Sequence, residues 1–140
     1  MSIRKAESGD WQGISRLLTQ LEYPGTVDFI REKLKQMLND PAETLLVWSE
    51  PPNILGFLSL HFIPQIALKG DFARISYFAV DNEARSNGIG RQLEERASRI
   101  ARDRACTQME VHCHTRRTRA HEFYARQGWT ESPKYLIKRL

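Results

Sequence analysis

Residues 80 to 90 read Val80-Asp81-Asn82-Glu83-Ala84-Arg85-Ser86-Asn87-Gly88-Ile89-Gly90, and Arg85-x-x-Gly88-x-Gly90 within them has the residue types that hold a phosphate. Glycine turns the chain with positive φ and lets oxygens approach where a Cβ would otherwise stand. A helix that starts directly behind such a loop aims its unpaired N–H groups and the positive end of its dipole at the anion. Two other phosphate loops are excluded. A dinucleotide fingerprint needs Gly-x-Gly-x-x-Gly beside the first strand, and a P-loop needs Gly-Lys-Ser or Gly-Lys-Thr; the chain has neither.

A second reactive set, Ala120-His121-Glu122-Phe123-Tyr124-Ala125-Arg126-Gln127-Gly128-Trp129, begins 35 residues after Arg85. Its Tyr124 hydroxyl can donate a proton. His61 and His112 could each move one near neutral pH, whereas His121, at the start of the Phe123-Tyr124 helix, is read as structural or cofactor-facing. In His112-Cys113-His114 strand alternation sends the histidines to one face and the cysteine to the other. Two histidines without a spaced third ligand fall short of a metal site, so no metal is predicted. Cys106 and Cys113 are separated by six residues, without a Cys-x-x-Cys spacing, and are read as free thiols of a reducing compartment.

The elements that position these groups follow from periodicity. Ile3 to Ala6 reads as a strand. Ser8 or Asp10 can cap a helix with its apolar stripe at Ile14, Leu17, Leu18 and Leu21. Pro24-Gly25 breaks that helix. Thr26 can cap a second one, with Ile30, Leu34, Met37 and Leu38 inward. Three strands follow, Thr44–Trp48, Ile54–Ile63 and Phe72–Val80, with a Gly56 break in the second and a loop from Pro64 to Gly70. Behind the glycine loop Ile89, Leu93, Ala97 and Ile100 line one helix face. Gln108–Cys113 reads as a strand, Arg117–Gln127 as a helix closed by Gly128, and Tyr135–Leu140 as a last strand. Three successive strands predict antiparallel pairing, and the strand-helix-strand unit predicts a parallel pair. The expectation is one α/β domain over residues 1–140, its mixed, mostly antiparallel sheet of six to seven strands flanked by about four helices.

Together, and in this order, Arg85-x-x-Gly88-x-Gly90 and Phe123-Tyr124-x-x-x-Gly128-Trp129 resemble the signatures of the Gcn5-related N-acetyltransferase superfamily, and the element order resembles its fold over nearly the whole chain. A finer resemblance is to small-amine members such as aminoalkylphosphonate N-acetyltransferases, through Arg117 to Tyr124 and Leu55 to His61. The resemblance implies transfer of an acetyl group from acetyl-CoA to a primary amine, without an acyl-enzyme. It implies that backbone groups of Phe78 and Val80 bond the pantetheine arm. An N–H of Ala79 or Val80 would polarise the thioester carbonyl. N–H groups of Arg85, Ser86, Asn87, Gly88, Ile89, Gly90 and Arg91 would hold the pyrophosphate, with the Arg85 side chain adding a charge-assisted bond. Arg117, where the family usually has Asn, would meet a cofactor phosphate or an anionic group of the substrate. Tyr124 would be the general acid that protonates the departing thiolate.

The general base is not specified. Many relatives carry a Glu on the strand before the loop, where this chain has Arg74, Ile75, Ser76 and Tyr77; the nearest acids are Asp71, Asp81 and Glu83. His61 or His112 could serve through water. The acceptor end is expected around the first two helices, the Pro64–Gly70 loop and the last strand, with Tyr23, Phe29, His61, Phe62 and Tyr135 as candidate lining. A peptide or aminoglycoside N-acetyltransferase and a non-catalytic acyl-CoA-binding module are the rivals.

Composition narrows the classes. With 140 residues, 41% apolar and 27% charged, the chain has the make-up of a folded domain. No apolar run approaches a membrane span of about 20 residues, and the start lacks a signal core, so a cytoplasmic protein is expected. Net charge is +4, its arginines concentrated after residue 85, which suits a polyanionic cofactor. No aromatic stripe interleaves them, so nucleic acid is not an expected partner. A homodimer is compatible with the resemblance.

Overall fold

The computed structural model describes residues 2–85, 87–113, 116–132 and 136–140. The chain forms two compact units, Met1–Glu110 and Val111–Leu140. The first holds β1 (Ser2–Lys5), α1 (Trp11–Gln20), α2 (Ile30–Leu38), β2 (Glu43–Glu50), β3 (Asn53–Ile63), β4 (Phe72–Val80) and α3 (Ile89–Asp103). The boundary falls within β5 (Gln108–Val111), and the second unit carries α4 (Thr118–Arg126).

The five strands among the described residues lie in the order β1-β2-β3-β4-β5 in one mixed sheet. The first four pair antiparallel with their sequence neighbours. Helix α3 connects β4 to β5, the type of crossover a parallel neighbour requires. The count is below the six to seven strands expected. Leu136–Leu140 form no strand; the adjacent Leu136 and Ile137 are both exposed, so the segment has no single apolar face to bury. Tyr135 lies outside the described residues.

Strand alternation divides the core between two faces. On one, Leu45, Val47, Ile54, Phe57 and Ala79 meet Ile14 and Leu17 of α1 and Ile30 and Leu34 of α2, with Leu17 and Val47 fully buried. Each such side chain contributes roughly 1.5–3 kcal/mol on burial. The alternate set, Leu46, Leu58, Leu60, Phe62 and Ile75, points to the other face. There α3 packs so closely that a Cβ on Gly56 would stand 3.0 Å from Leu93 Cδ1.

Two capping expectations fail. The Asp10 carboxylate does not cap α1; it accepts from the Glu7 N–H at 2.8 Å and from both terminal nitrogens of Arg4. Thr26 opens a short 3-10 turn rather than α2, and its hydroxyl is buried 2.7 Å from Ser15 Oγ. Asp10 instead closes a local capping box with Glu7 while pairing with Arg4, and Thr26 is drawn to Ser15 of α1.

Candidate active site

The glycine loop is held at its root by α1. Asp81 is 6% exposed, and its carboxylate takes an ion pair from Arg16, one turn before the end of α1. Its Oδ1 also accepts the Glu83 N–H at 2.9 Å, so the side chain mimics a turn. Arg16 donates onward to the Ile54 carbonyl at 2.8 Å, and Gln20 Oε1 accepts the Asn82 N–H at 2.9 Å. Hydrogen bonding from Arg16, ahead of that from the Glu83 amide, holds the Asp81 carboxyl below its ordinary range. Asp81 is therefore engaged as a loop anchor rather than free as a base. No pattern in the sequence links Arg16 and Gln20 to residues more than 60 positions away.

From that anchor the chain passes through a 3-10 turn, Asn82–Ala84, to Arg85, which is exposed and extended. Ser86 lies outside the described residues. Asn87 is exposed, and Gly88 takes φ 76°, a conformation glycine alone adopts at little cost. Gly88 is the N-cap of α3, and Ile89, Gly90 and Arg91 form its first turn. Ile89 is buried, so only its backbone can face a ligand. The loop thus brings Arg85, Asn87, Gly88, Ile89, Gly90 and Arg91 to one helix N-terminus.

Upstream, the Asp81 N–H donates to the Leu55 carbonyl at 2.8 Å. Backbone groups alternate along a strand, so those of Ala79 face β3 whereas those of Phe78 and Val80 face the other way, toward β5. The middle of β4 is open: Ser76 and Tyr77 are exposed between buried Ile75 and Ala79. The cause is a bulge. Leu60 pairs with Ile75 and Ser59 with Tyr77, leaving Ser76 extra. The added residue places Arg74 and Tyr77, three apart, on the same face.

That face carries two polar rows beside the α1–α2 core. The first runs Glu43-His61-Arg74 across β2, β3 and β4, and the second Leu45-Ser59-Tyr77. Arg74 Nε donates to Glu110 Oε1 on β5 at 2.7 Å. His61 Nδ1 stands 2.6 Å from Glu43 Oε1. Burial pushes the Glu43 carboxyl up, against the opposing pull of His61. Tyr23, just past α1, meets Tyr77 edge-on with ring centroids 5.2 Å apart. Phe29 is exposed, but Phe62 belongs to the opposite face, 2% exposed beneath the Arg104 guanidinium, and so lines no acceptor site.

In the second unit Arg117 is the half-buried N-cap of α4. Tyr124 is half-buried, its ring 5.3 Å from those of both Phe123 and Trp129. Gly128 at φ 90° lets the Trp129 N–H reach back to the Tyr124 carbonyl at 3.0 Å. The Gly-Trp pair of the second signature is thus what folds an indole onto Tyr124. His112 is exposed, and His114 lies outside the described residues. Among the described residues no group of three or more His, Cys, Asp or Glu could hold a metal ion, and no helix is long and apolar enough to cross a membrane.

A mixed sheet with an open strand centre, leading through an anchored glycine turn into a helix N-terminus, defines an acyltransferase scaffold. The chain belongs to the acetyltransferase (GNAT) family, whose model matches residues 11–129, and is an N-acetyltransferase. Solved structures share the whole fold. A transcriptional regulator from Bacillus halodurans is 24% identical, with 99% of each chain covered and a TM-score of 0.92. An acetyltransferase from Trypanosoma brucei is 21% identical, with 99% of each chain covered and a TM-score of 0.85. An aminoglycoside acetyltransferase from a soil metagenomic sample is 19% identical, covering 99% of this chain and 95% of that one, with a TM-score of 0.81. No curated protein sequence matches the chain.

Proposed function

We propose that the chain, acting as one domain, transfers the acetyl group of acetyl-CoA to a primary amine of a small molecule by direct attack. The observation that carries this reading is the anchored loop: Asp81, fixed by Arg16, sets up the turn that delivers Gly88 at φ 76° to the start of α3. Such a helix start favours a pyrophosphate, with Arg85, Asn87, Gly88, Ile89, Gly90 and Arg91 as its neighbours and Ser86 the remaining loop residue. The backbone of Phe78 and Val80, directed away from β3, suits the pantetheine arm. Because the Ala79 N–H is directed at β3, the Val80 N–H is the better donor to the thioester oxygen. Tyr124 is assigned the proton for the thiolate, and Arg117 an anionic group of cofactor or substrate.

The test is coenzyme A binding by calorimetry, followed by thiol release from acetyl-CoA across aminoalkylphosphonates, polyamines, aminoglycosides and peptides. Binding together with turnover of a small amine supports the reading. Turnover confined to peptides would reassign the acceptor. Binding without any turnover would favour a non-catalytic acyl-CoA-binding module.

A further inference from the structure

The polar rows on the α1–α2 face are costly for a sheet interior. Glu43 Oε2 and Ser59 Oγ are buried side-chain atoms without a hydrogen bond among the described residues. Ser59 is 3% exposed. Buried polar atoms are nearly always bonded, and leaving one unbonded is destabilising. Such a cluster beside an exposed strand centre marks a site rather than a packing solution.

Its geometry is asymmetric. His61 Nδ1 is buried against the Glu43 carboxylate at 2.6 Å, yet the side chain as a whole is 35% exposed. The exposed part is therefore the far edge, which carries Nε2. A carboxylate at Nδ1 keeps the proton on that nitrogen and leaves the Nε2 lone pair outward. The other basic group of the row cannot accept a proton: Arg74 is a guanidinium, already paired with Glu110. The bulged Ser76 lies one to two rungs from the His61–Arg74 rung, roughly 5 Å along the strand. Nε2 is thus within one water of an acceptor standing at the open centre of β4.

We propose that His61, oriented by Glu43, is the general base that deprotonates the acceptor amine, and that Ser59, Tyr77 and Tyr23 form the wall along which the amine lies. The inference rests on the acetyl-transfer reading. An alkyl ammonium gives one proton to Nε2, making an imidazolium whose Nδ1–H faces Glu43. The freed lone pair forms the C–N bond at the thioester carbon and the C–S bond breaks. The second nitrogen proton leaves as the intermediate collapses, balancing the proton taken by the thiolate. The imidazolium then returns its proton to water. The other titratable or charged groups facing this pair are Arg74 and Glu110 on the strands, Asp40 before β2, and the phenols of Tyr23 and Tyr77.

The experiment compares wild type, His61→Gln and Glu43→Gln in steady-state acetylation of the best amine of the panel from pH 5 to 10, beside melting curves and coenzyme A calorimetry. His61→Gln should bind coenzyme A as wild type does, yet lose roughly a hundredfold to ten-thousandfold in kcat/KM for the amine at neutral pH. Its rate should climb about tenfold per pH unit toward the amine pKa near 10, the free amine now being supplied by solution. Glu43→Gln should lose less, in kcat rather than in coenzyme A affinity, because it removes the carboxylate that orients the imidazole but leaves the base in place. Should His61→Gln not fold, Glu43→Gln decides, because a wild-type kcat in that variant overturns the orientation by Glu43 and the base with it. A His61→Gln enzyme with wild-type kcat/KM and an unchanged acid limb overturns the base. A wild type that binds coenzyme A but acetylates nothing overturns the transfer reading, and the base with it.

Discussion

Replacing Asp81 by Asn should weaken both the fold and the cofactor site, by amounts set by one ion pair. Asn is isosteric and keeps an oxygen for the Glu83 N–H, so what it removes is the charge that faces Arg16. A hydrogen bond to a charged group contributes about 1.5–3 kcal/mol. The Arg16 side chain is 46% exposed, so solvent screening brings the expected loss to about 1–2 kcal/mol. For a domain of this size that is a fall of roughly 3–7 °C in melting temperature. The same energy holds the loop in its binding geometry. If the unanchored loop must be reordered by the ligand, coenzyme A affinity should fall about 5- to 30-fold.

Melting curves and calorimetry on Asp81→Asn, Arg16→Met and the double variant measure both effects. Because the two residues share the ion pair, the double variant should lose about as much as Arg16→Met alone, which also gives up the bond to the Ile54 carbonyl, rather than the sum of the two. The pH dependence supplies a sign. The Asp81 carboxyl is held below its ordinary value of 3.8. Its contribution is therefore complete above that value and is lost as pH falls through the lower folded value. The stability gap between wild type and Asp81→Asn should be constant above about pH 5 and close on acidification. Asp10, also lowered, is present in both proteins and cancels. Additive single variants, a gap that persists at low pH, or unchanged coenzyme A affinity would each refute the anchor.

Gly88→Ala meets no crowding, since the nearest atom to the added Cβ is Gln92 Nε2 at 3.9 Å, but it must hold φ 76°. It should cost about 1–2 kcal/mol in a melt and weaken coenzyme A binding. Gly128→Ala at φ 90° should cost a similar amount and, by releasing Trp129 from Tyr124, change tryptophan fluorescence. Tyr124→Phe keeps both ring contacts and removes only the hydroxyl, so kcat should fall roughly a hundredfold or more. Unchanged turnover with a saturating amine would remove the general acid from Tyr124.

What could be read in advance follows from how local each signal is. Helices α1 and α3 are plain in their apolar spacing, because one buried stripe per turn is fixed by the helix itself. Strand β4 ends where its sequence stops alternating, and Gly88 and Gly128 stand where left-handed backbone is needed. The anchor was not legible: a helical Arg16 and a loop Asp81 are ordinary residues until the fold puts them together. Nor was the Glu43-His61-Arg74 row, because period-2 reading of β4 sends Arg74 and Tyr77 to opposite faces. Only the bulge at Ser76 reverses the second half of the strand. The last strand is not there to be read from Leu136 and Ile137, because an apolar pair makes a strand only beside a neighbour with free backbone groups.

The bulge also explains how one strand serves two purposes. Without Ser76, Ala79 would turn away from the α1–α2 core that it joins and Val80 from the face it shares with Gly56. Both sit at the root of the glycine loop, so their directions fix where the loop starts. Before the bulge the same face presents Arg74 beside His61. The insertion therefore lets the C-terminal half of β4 stay in register with the anchor while its N-terminal half offers polar side chains to an acceptor. Shortening β4 by deleting Ser76 should disrupt both ends at once, weakening coenzyme A binding and taking Ala79 out of the α1–α2 core. Retention of coenzyme A affinity in that deletion would mean that the loop takes its position from Asp81 alone.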